Sequence, residues 1–187
     1  YTVRADTDLQ NIVAVKLETL TDTELPNAGP GLADDGNFIL SEFKLSVSNK
    51  GKNASPVTIE LMNASADYAQ DGSPVRHAID SNAKTGWGIS VGQDQPQTSH
   101  VAIFEMKEPI AREGGQRLTF TLSQQQGQRQ LIGRFRLWVA TLKSSDGDAK
   151  TQVASLRQQH REEAQAAWEV TMKRLAADWQ VLDPQTF

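Results

Sequence analysis

Apolar and polar residues alternate along several short segments in the first part of the chain. Because successive side chains of a strand point to opposite faces, this alternation predicts strands with one buried face. Clusters of Gly, Pro, Asn and Asp separate the segments, as turns between strands require. Many short strands joined by long loops predict an all-β sandwich or jelly roll over residues 1–143. Residues 101–104 form a more continuous apolar run. The alternating segments are 12–17, 38–47, 57–61, 118–122 and 133–139.

The pattern changes at residues 144–148, and a helical period follows. Neither proline nor glycine occurs from 149 to 183, and apolar side chains recur every three or four residues. This spacing predicts one amphipathic helix. We therefore expect residues 144–187 to hold a linker and an appended C-terminal α-helix, which packs on its own sandwich or leads into a following module. The stripe consists of Leu156, His160, Ala164, Trp168, Met172, Leu175 and Trp179.

Composition and charge narrow the function classes. The 187 residues carry 19 basic and 23 acidic side chains, so a nucleic-acid backbone is not an expected partner. No apolar run approaches the length of a membrane-spanning helix. The absence of cysteine excludes disulfides, thiol catalysis and thiolate-bound zinc within this stretch. The sequence has no His-Glu-x-x-His motif, and its three histidines are scattered, so we expect no enzyme.

The most informative local feature is the loop at residues 80–87. Asp80 is followed by small polar residues and, five positions on, by Thr85, which predicts a compact loop with a carboxylate, a hydroxyl and backbone carbonyls turned inward. Ca²⁺ binds roughly six to eight such oxygens. The same spacing also fits an Asx-type turn, in which Asp80 binds its own loop amides. Spacing alone leaves both interpretations open.

This loop is similar to the Asp-Gly-x-x-x-Thr-x-Trp loop of galactose-binding-like β-sandwiches, the fold of discoidin and coagulation-factor C domains. More broadly, residues 1–143 resemble a module of planctomycete-type cytochrome c surface proteins. The resemblance implies a galactose-binding-like β-sandwich. Three positions depart from the pattern, since Leu32, Ser81 and Gln130 stand where Arg, Gly and His are expected. The matching segments include 36–43, 63–68, 78–80, 85–87, 100–105, 118–122 and 133–137.

The resemblance also implies a structural Ca²⁺ site. In galactose-binding-like sandwiches, an acidic residue from a Ser/Ala-Glu-hydrophobic strand meets the Asp loop at the metal, and Glu42 stands in such a strand. The carboxylates of Glu42 and Asp80 would repel each other without a cation. With one, they would join two distant segments of the chain. The implied ligands are Glu42, Asp80, Thr85 and the carbonyls of Ala78 and Asn82.

Sugar recognition needs an apolar ring face and a few directional polar groups between loops. Four of the five candidate residues also have a second interpretation: Trp87 as a core residue, Tyr68 and His100 as packing residues, and Arg76 as a solvated charge. The glutamine tract at 124–128 is either a polar lip for a hydroxyl-rich ligand or a polar turn. The candidates for carbohydrate contact are Tyr68, Arg76, His77, Trp87 and His100.

Together these features predict a non-catalytic carbohydrate-binding module of an exported multidomain bacterial protein, at the periplasm or the cell surface. Its partners would be a polysaccharide or other glycan and the neighbouring domains of a longer chain. The alternative is a structural module that packs against neighbouring domains and binds no sugar. An enzyme would instead show a cleft with strongly shifted titratable residues.

Overall fold

The computed structural model describes residues 1–50, 55–90, 97–112, 114–142 and 178–181. This part of the chain is all-β: a four-stranded sheet with the order β1-β9-β4-β5, a five-stranded sheet with the order β11-β10-β2-β8-β6, and a two-stranded ladder of β3 and β7. All strand pairs are antiparallel. The strands are β1 (Thr2–Thr7), β2 (Ile12–Thr19), β3 (Ile39–Leu40), β4 (Glu42–Asn49), β5 (Val57–Ile59), β6 (Leu61–Ala66), β7 (Trp87–Gly88), β8 (His100–Ile110), β9 (Gln116–Ser123), β10 (Phe135–Thr141) and β11 (Asp178–Val181).

The two large sheets face each other across one apolar core. In β9, the side chains of Leu118, Phe120 and Leu122 are buried and alternate with partly exposed residues, as the sequence pattern predicts. Phe43 from the four-stranded sheet stacks on Phe104 from the five-stranded sheet, with ring centroids 4.4 Å apart. Such rings contribute the largest buried apolar areas of a core. The expectation of an all-β fold over this part of the chain is therefore confirmed.

Long connections gather at one end of the sandwich. We call this the loop end and define it as residues 20–38, 67–90 and 124–134. Backbone hydrogen bonds join the first of these segments to the third. The side-chain oxygen of Asn37 accepts the backbone N–H of Ile89 at 3.1 Å and so joins the first segment to the second. Two short 3-10 helices, Pro26–Ala28 and Val75–Ile79, lie within the loop end.

The predicted C-terminal helix falls mostly outside the described residues. Residues 178–181 are described, and they form β11, which pairs with β10 so that Trp179 lies opposite Ala140. The extension of the helical stripe to Trp179 is therefore wrong. Without β11, β10 would be the edge strand of its sheet and would present unpaired backbone groups. Pairing with these groups outweighs the local helical period here. In the described part of the chain, no helix is long and apolar enough to cross a membrane.

Candidate functional site

Glu42 is the first residue of β4, Asp80 follows the 3-10 helix Val75–Ile79, and the two are near enough for their charges to interact. Burial raises the pKa of the Glu42 carboxyl above its ordinary value, and the negative charge of Asp80 raises it further. Lys44 and the backbone N–H groups of Ser81 and Asn82 act in the opposite direction without cancelling the shift. The structure therefore brings together two carboxylates that are almost forty positions apart in the sequence.

The Asp80 loop satisfies its own hydrogen bonds. Asp80 Oδ1 accepts the backbone N–H of Asn82 at 2.8 Å, and the hydroxyl of Thr85 donates to Asp80 Oδ2 at 2.7 Å. This is the Asx-type turn that the spacing allows. Ser81 has a φ of 64°, in the left-handed region that favours glycine. Glycine, which the resemblance leads us to expect at this position, would adopt this conformation with less strain than serine.

The glutamine tract at 124–128 packs against the Asp80 loop, residues 80–87. The amide of Gln126 lies 3.3 Å from the backbone carbonyls of both Ala83 and Thr85 and can donate to each of them. The backbone N–H of Gln125 donates to the hydroxyl of Ser41, the residue before β4. These contacts give the tract a defined structural role, in which it ties the Asp80 loop to the start of the four-stranded sheet.

The oxygens around Glu42 fit a hard cation in part. Glu42 is 5% exposed, and its Oε1 is buried without a hydrogen bond from any described residue. Asp80 is exposed and keeps lone pairs beyond those used by its loop. Oxygen ligands of this kind suit Ca²⁺ better than softer metals. Within the described residues, no three His, Asp or Glu side chains converge as a metal-binding group.

The other predicted ligands differ in how they are placed. The carbonyl of Asn82 already accepts the backbone N–H of Thr85 at 3.1 Å. The Thr85 hydroxyl lies 2.9 Å from the same carbonyl, so a cation would have to compete with the turn for both groups. Ala78 is fully buried in the last turn before the loop. The buried carboxylate of Glu42 is therefore the strongest potential ligand of this set.

Trp87 lies in the core. Its side chain is fully buried, its indole N–H donates to the carbonyl of Tyr68 at 2.8 Å, and its ring meets Phe38 edge-on with centroids 5.1 Å apart. A ring in this position has no face to offer a sugar. The interpretation of Trp87 as a core residue is therefore the one that the structure bears out, and its predicted stacking role conflicts with its burial.

Tyr68 and His100 form a stacked pair at the loop end. Their rings are 5.3 Å apart with an interplanar angle of 28°. Tyr68 is 37% exposed, and its hydroxyl donates to the carbonyl of Ser90 at 3.1 Å. His100 is buried beneath it, with Nδ1 3.2 Å from Asp67 Oδ2. The pair therefore presents part of one aromatic ring, held at both ends, to solvent.

The carboxylate of Asp67, the imidazole of His100 and the hydroxyl of Thr98 lie in a row at the loop end. His100 Nε2 lies 3.4 Å from the hydroxyl of Thr98, opposite the contact with Asp67. The order resembles that of hydrolase triads, but 3.4 Å is long for a hydrogen bond to a hydroxyl. Asp67 also accepts the backbone N–H of Val101 at 2.9 Å. Its evident role is to connect the end of β6 to β8 and to orient the imidazole.

Residues 88–92 read Gly-Ile-Ser-Val-Gly, a Gly-x-Ser-x-Gly spacing that counts against the expectation of no enzyme and has to be weighed. In α/β-hydrolases, this spacing places a nucleophilic serine between a strand and a helix. Here Ser90 follows a two-residue strand in an all-β setting, and its backbone N–H donates to Gln70 Oε1 at 2.8 Å. Among the described residues, no histidine hydrogen-bonds to the Ser90 hydroxyl. The motif therefore adds no support for hydrolysis.

Arg76 and His77 lie on the 3-10 helix Val75–Ile79. Among the described residues, neither of them forms a hydrogen bond with Tyr68 or His100. Arg76 is exposed, as a solvated charge would be. His77 is partly buried, and none of the described residues hydrogen-bonds to its buried Nδ1. Of the five predicted carbohydrate contacts, the structure joins Tyr68, His100 and, through its indole N–H, Trp87.

Comparison with protein-family models, with curated proteins and with solved structures finds no match for this chain. The resemblance to galactose-binding-like modules therefore rests on the sequence segments alone and stays a prediction.

Proposed function

We propose that this chain is a non-catalytic carbohydrate-binding module with the jelly-roll topology of galactose-binding-like sandwiches. The observation that carries the proposal is the ring of Tyr68, which is partly exposed, stacked on His100 and located where three long segments meet. An aromatic ring in such a place supplies the apolar face that a sugar ring needs. Exposed polar side chains next to it, Asp67 and Thr98, supply directional hydrogen-bonding groups.

The surroundings of Tyr68 favour binding because they fix the ring before a ligand arrives. The buried indole of Trp87 holds the Tyr68 carbonyl, and the Ser90 carbonyl holds the Tyr68 hydroxyl. A side chain that is already ordered loses less conformational entropy on binding. In an exported multidomain protein, the module would raise the local concentration of a glycan near the neighbouring domains.

A structural Ca²⁺ completes the proposal. Glu42 and Asp80 would be its carboxylate ligands, and Thr85 with the carbonyls of Ala78 and Asn82 would supply further oxygens. The bound ion would neutralise the repulsion between the two carboxylates and hold the Asp80 loop against β4. Support for this role comes from the buried Glu42 Oε1, which accepts no hydrogen bond from the described residues.

The alternative function is a structural module that packs against neighbouring domains. One observation favours it: Val57, on the edge strand β5, is 52% exposed. An apolar residue on an open edge suits contact with another protein surface. The two functions differ in what they require of Tyr68, which the structural module does not need for binding.

The test of sugar binding is affinity electrophoresis of the chain in gels that contain marine and plant polysaccharides. We expect retardation by at least one of them, loss of retardation in Tyr68→Ala, and its retention in Tyr68→Phe, which keeps the ring. Tyr1→Ala is the matched control, because Tyr1 is the other exposed tyrosine. No retardation by any polysaccharide, or equal loss in both alanine variants, would favour the structural module.

The test of the Ca²⁺ site is thermal unfolding with EDTA and with added CaCl₂. We expect EDTA to lower the melting temperature of the wild-type chain, calcium to restore it, and Glu42→Gln to remove the difference. Glu60→Gln is the matched control, since Glu60 is an exposed carboxylate outside the loop end. Equal melting temperatures of the wild-type chain under both conditions would exclude a stabilising cation.

A further inference from the structure

The side of the four-stranded sheet that faces away from the core carries a row of polar side chains. Its outward positions alternate along each strand with core residues such as Val3, Leu45 and Phe120. Six of these outward residues are exposed or partly exposed, and we call them the polar face. Arg4, Thr119, Ser46 and Thr58 form one row across the four strands, and Thr121 and Lys44 lie opposite each other in the next row.

The two cations of the polar face are weakly compensated. Arg4 is exposed, and no described residue forms a hydrogen bond or an ion pair with its guanidinium. The Lys44 Nζ atom lies 3.9 Å from Glu42 Oε2, which is too far for a hydrogen bond. By contrast, the guanidinium of Arg117 donates to both carboxylate oxygens of Asp6, so this neighbouring pair is neutral. The polar face therefore carries two accessible positive charges in a chain whose formal net charge is −4.

We propose that the polar face binds an anionic polysaccharide, at a surface separate from the Tyr68–His100 pair. The guanidinium of Arg4 and the ammonium of Lys44 suit the sulfate or carboxylate groups of such a polymer. The hydroxyls of Ser46, Thr119 and Thr121 can each donate and accept a hydrogen bond, which suits sugar hydroxyls. Charge and hydrogen-bonding groups thus occur side by side, as a charged sugar polymer requires.

The placement of the two cations favours a polymer over a small anion. Arg4 and Lys44 lie on the two strands that flank β9 and are offset by two residues. With strands about 4.8 Å apart and residues about 3.4 Å apart, their Cα atoms are separated by roughly 12 Å. Thr119 and Thr121 lie between them. A polymer with anionic groups along its length can engage both cations, and the first contact raises the effective concentration for the second.

The polar face lacks the groups on which other anionic macromolecules depend. Single-stranded nucleic acids bind proteins largely by stacking bases on aromatic rings. Membrane surfaces are bound by helices that insert an apolar face below the headgroups. The six residues of the polar face include no aromatic ring and no large apolar side chain. Since the net charge of the chain is negative, a polyanion is also repelled by most of the remaining surface.

The experiment compares binding of the full chain to immobilised dextran, dextran sulfate and carboxymethyl dextran, which share one sugar backbone. By biolayer interferometry, we expect both anionic polymers to bind more tightly than dextran. Roughly 1 M NaCl, which screens charges beyond about 3 Å, should remove the difference. Arg4→Gln combined with Lys44→Gln should weaken binding to the anionic polymers about tenfold. Arg4→Lys, which keeps the charge, should retain most of it.

Lys107→Gln combined with Arg129→Gln is the matched control, because it removes two exposed cations that lie outside the polar face. Equal weakening in both double variants would overturn the proposal, since binding would then follow net charge alone. Double-stranded DNA that binds as tightly as dextran sulfate would overturn the preference for a polysaccharide.

Tyr68→Ala separates this surface from the proposed sugar site at the loop end. We expect it to leave binding to dextran sulfate unchanged. Loss of that binding in Tyr68→Ala, together with its retention in Arg4→Gln with Lys44→Gln, would place the anion at the loop end and overturn the proposal. Failure of the chain to bind any neutral polysaccharide would count against the Tyr68 site alone, because the polar face acts through charge.

Discussion

The two large sheets differ in how they use the side that faces away from the core. On the four-stranded sheet, this side carries residues that remain partly or fully exposed, such as Arg4, Lys44 and Thr119. On the five-stranded sheet, Ile103 and Ala140 occupy equivalent outward positions and are completely buried. The outer side of the four-stranded sheet is therefore largely open to solvent, whereas part of the outer side of the five-stranded sheet is fully buried.

This difference is visible in the strand sequences. β9 alternates strictly between buried and partly exposed residues, because only one of its faces is covered. β8 is buried continuously from Ala102 to Met106, as strands with two covered faces are. A continuous buried run in an otherwise alternating domain is thus a local sign that the outward side chains of the strand are covered as well.

The largest expected effect is that of Phe104→Ala on the core side of β8. Phe104 is fully buried and stacks on Phe43 of the other sheet. Loss of the ring should lower the free energy of unfolding by about 3–5 kcal/mol, as measured by urea denaturation. A loss below about 1 kcal/mol would show that the sheets do not share this core.

Ile103→Ala sharpens the comparison, because it changes the next residue on the same strand but on the opposite side. Because Ile103 is fully buried, the variant should lose about 2–4 kcal/mol, as buried isoleucine does in a core. Thr119→Ala, at an outward position of the four-stranded sheet, should change stability by no more than about 0.5 kcal/mol. Equal small effects of the two variants would mean that the two outer sides are alike.

Local patterns were enough to predict most of the strands. The alternation at 118–122 and 133–139 lies within or across β9 and β10, where one face meets the core. The spacing of Asp80 and Thr85 predicted a compact turn, because those contacts form within a few residues. Such features depend on neighbours in the sequence, which the sequence displays directly.

Features that depend on distant segments were harder to predict. The sequence allowed Trp87 to be either a sugar-stacking residue or a core residue. Its contact with Phe38 decides for the core, and no neighbouring residue in the sequence indicates that contact. The strand β11 was missed because pairing with β10 overrides a helical period that continues to Trp179. The contact between Asp67 and His100 had no sequence signal either, because Asp67 follows β6 and His100 is the first residue of β8.

Glu42 is an exception to the exposed outer side of the four-stranded sheet. It lies on the same side as Lys44 but is buried, and its pKa is raised chiefly by that burial. A raised carboxyl pKa stabilises the folded state below the ordinary value of 4.5 and ceases to do so as the pH rises through the raised value. In EDTA, we therefore expect wild-type stability to fall over this range relative to Glu42→Gln.

At neutral pH in EDTA, Glu42→Gln should be more stable than the wild-type chain by on the order of 1 kcal/mol, because it removes a buried charge near Asp80. Saturating CaCl₂ should reverse the order if Glu42 binds the cation. The measurement is urea denaturation from pH 4 to pH 8. Parallel pH profiles for the two chains would show that Glu42 carries no unfavourable charge.

The smallest expected effect concerns Asp6 and Arg117, which face each other on the exposed outer side of the four-stranded sheet. The Arg117 guanidinium donates to both oxygens of Asp6, at 2.7 and 2.9 Å, and this hydrogen bonding lowers the pKa of the Asp6 carboxyl. The lowered pKa contributes stability that is present above the ordinary value of 3.8 and is lost as the pH falls through the lowered one. Asp6→Asn should therefore flatten the acid limb of the stability profile and change little else, since ion pairs near the protein surface usually contribute weakly. Asp34→Asn, at an exposed carboxylate, should keep the wild-type limb. If Asp6→Asn instead cost as much as Ile103→Ala, the outer side of the four-stranded sheet would also have to be a covered surface, and the contrast between the two sheets would disappear.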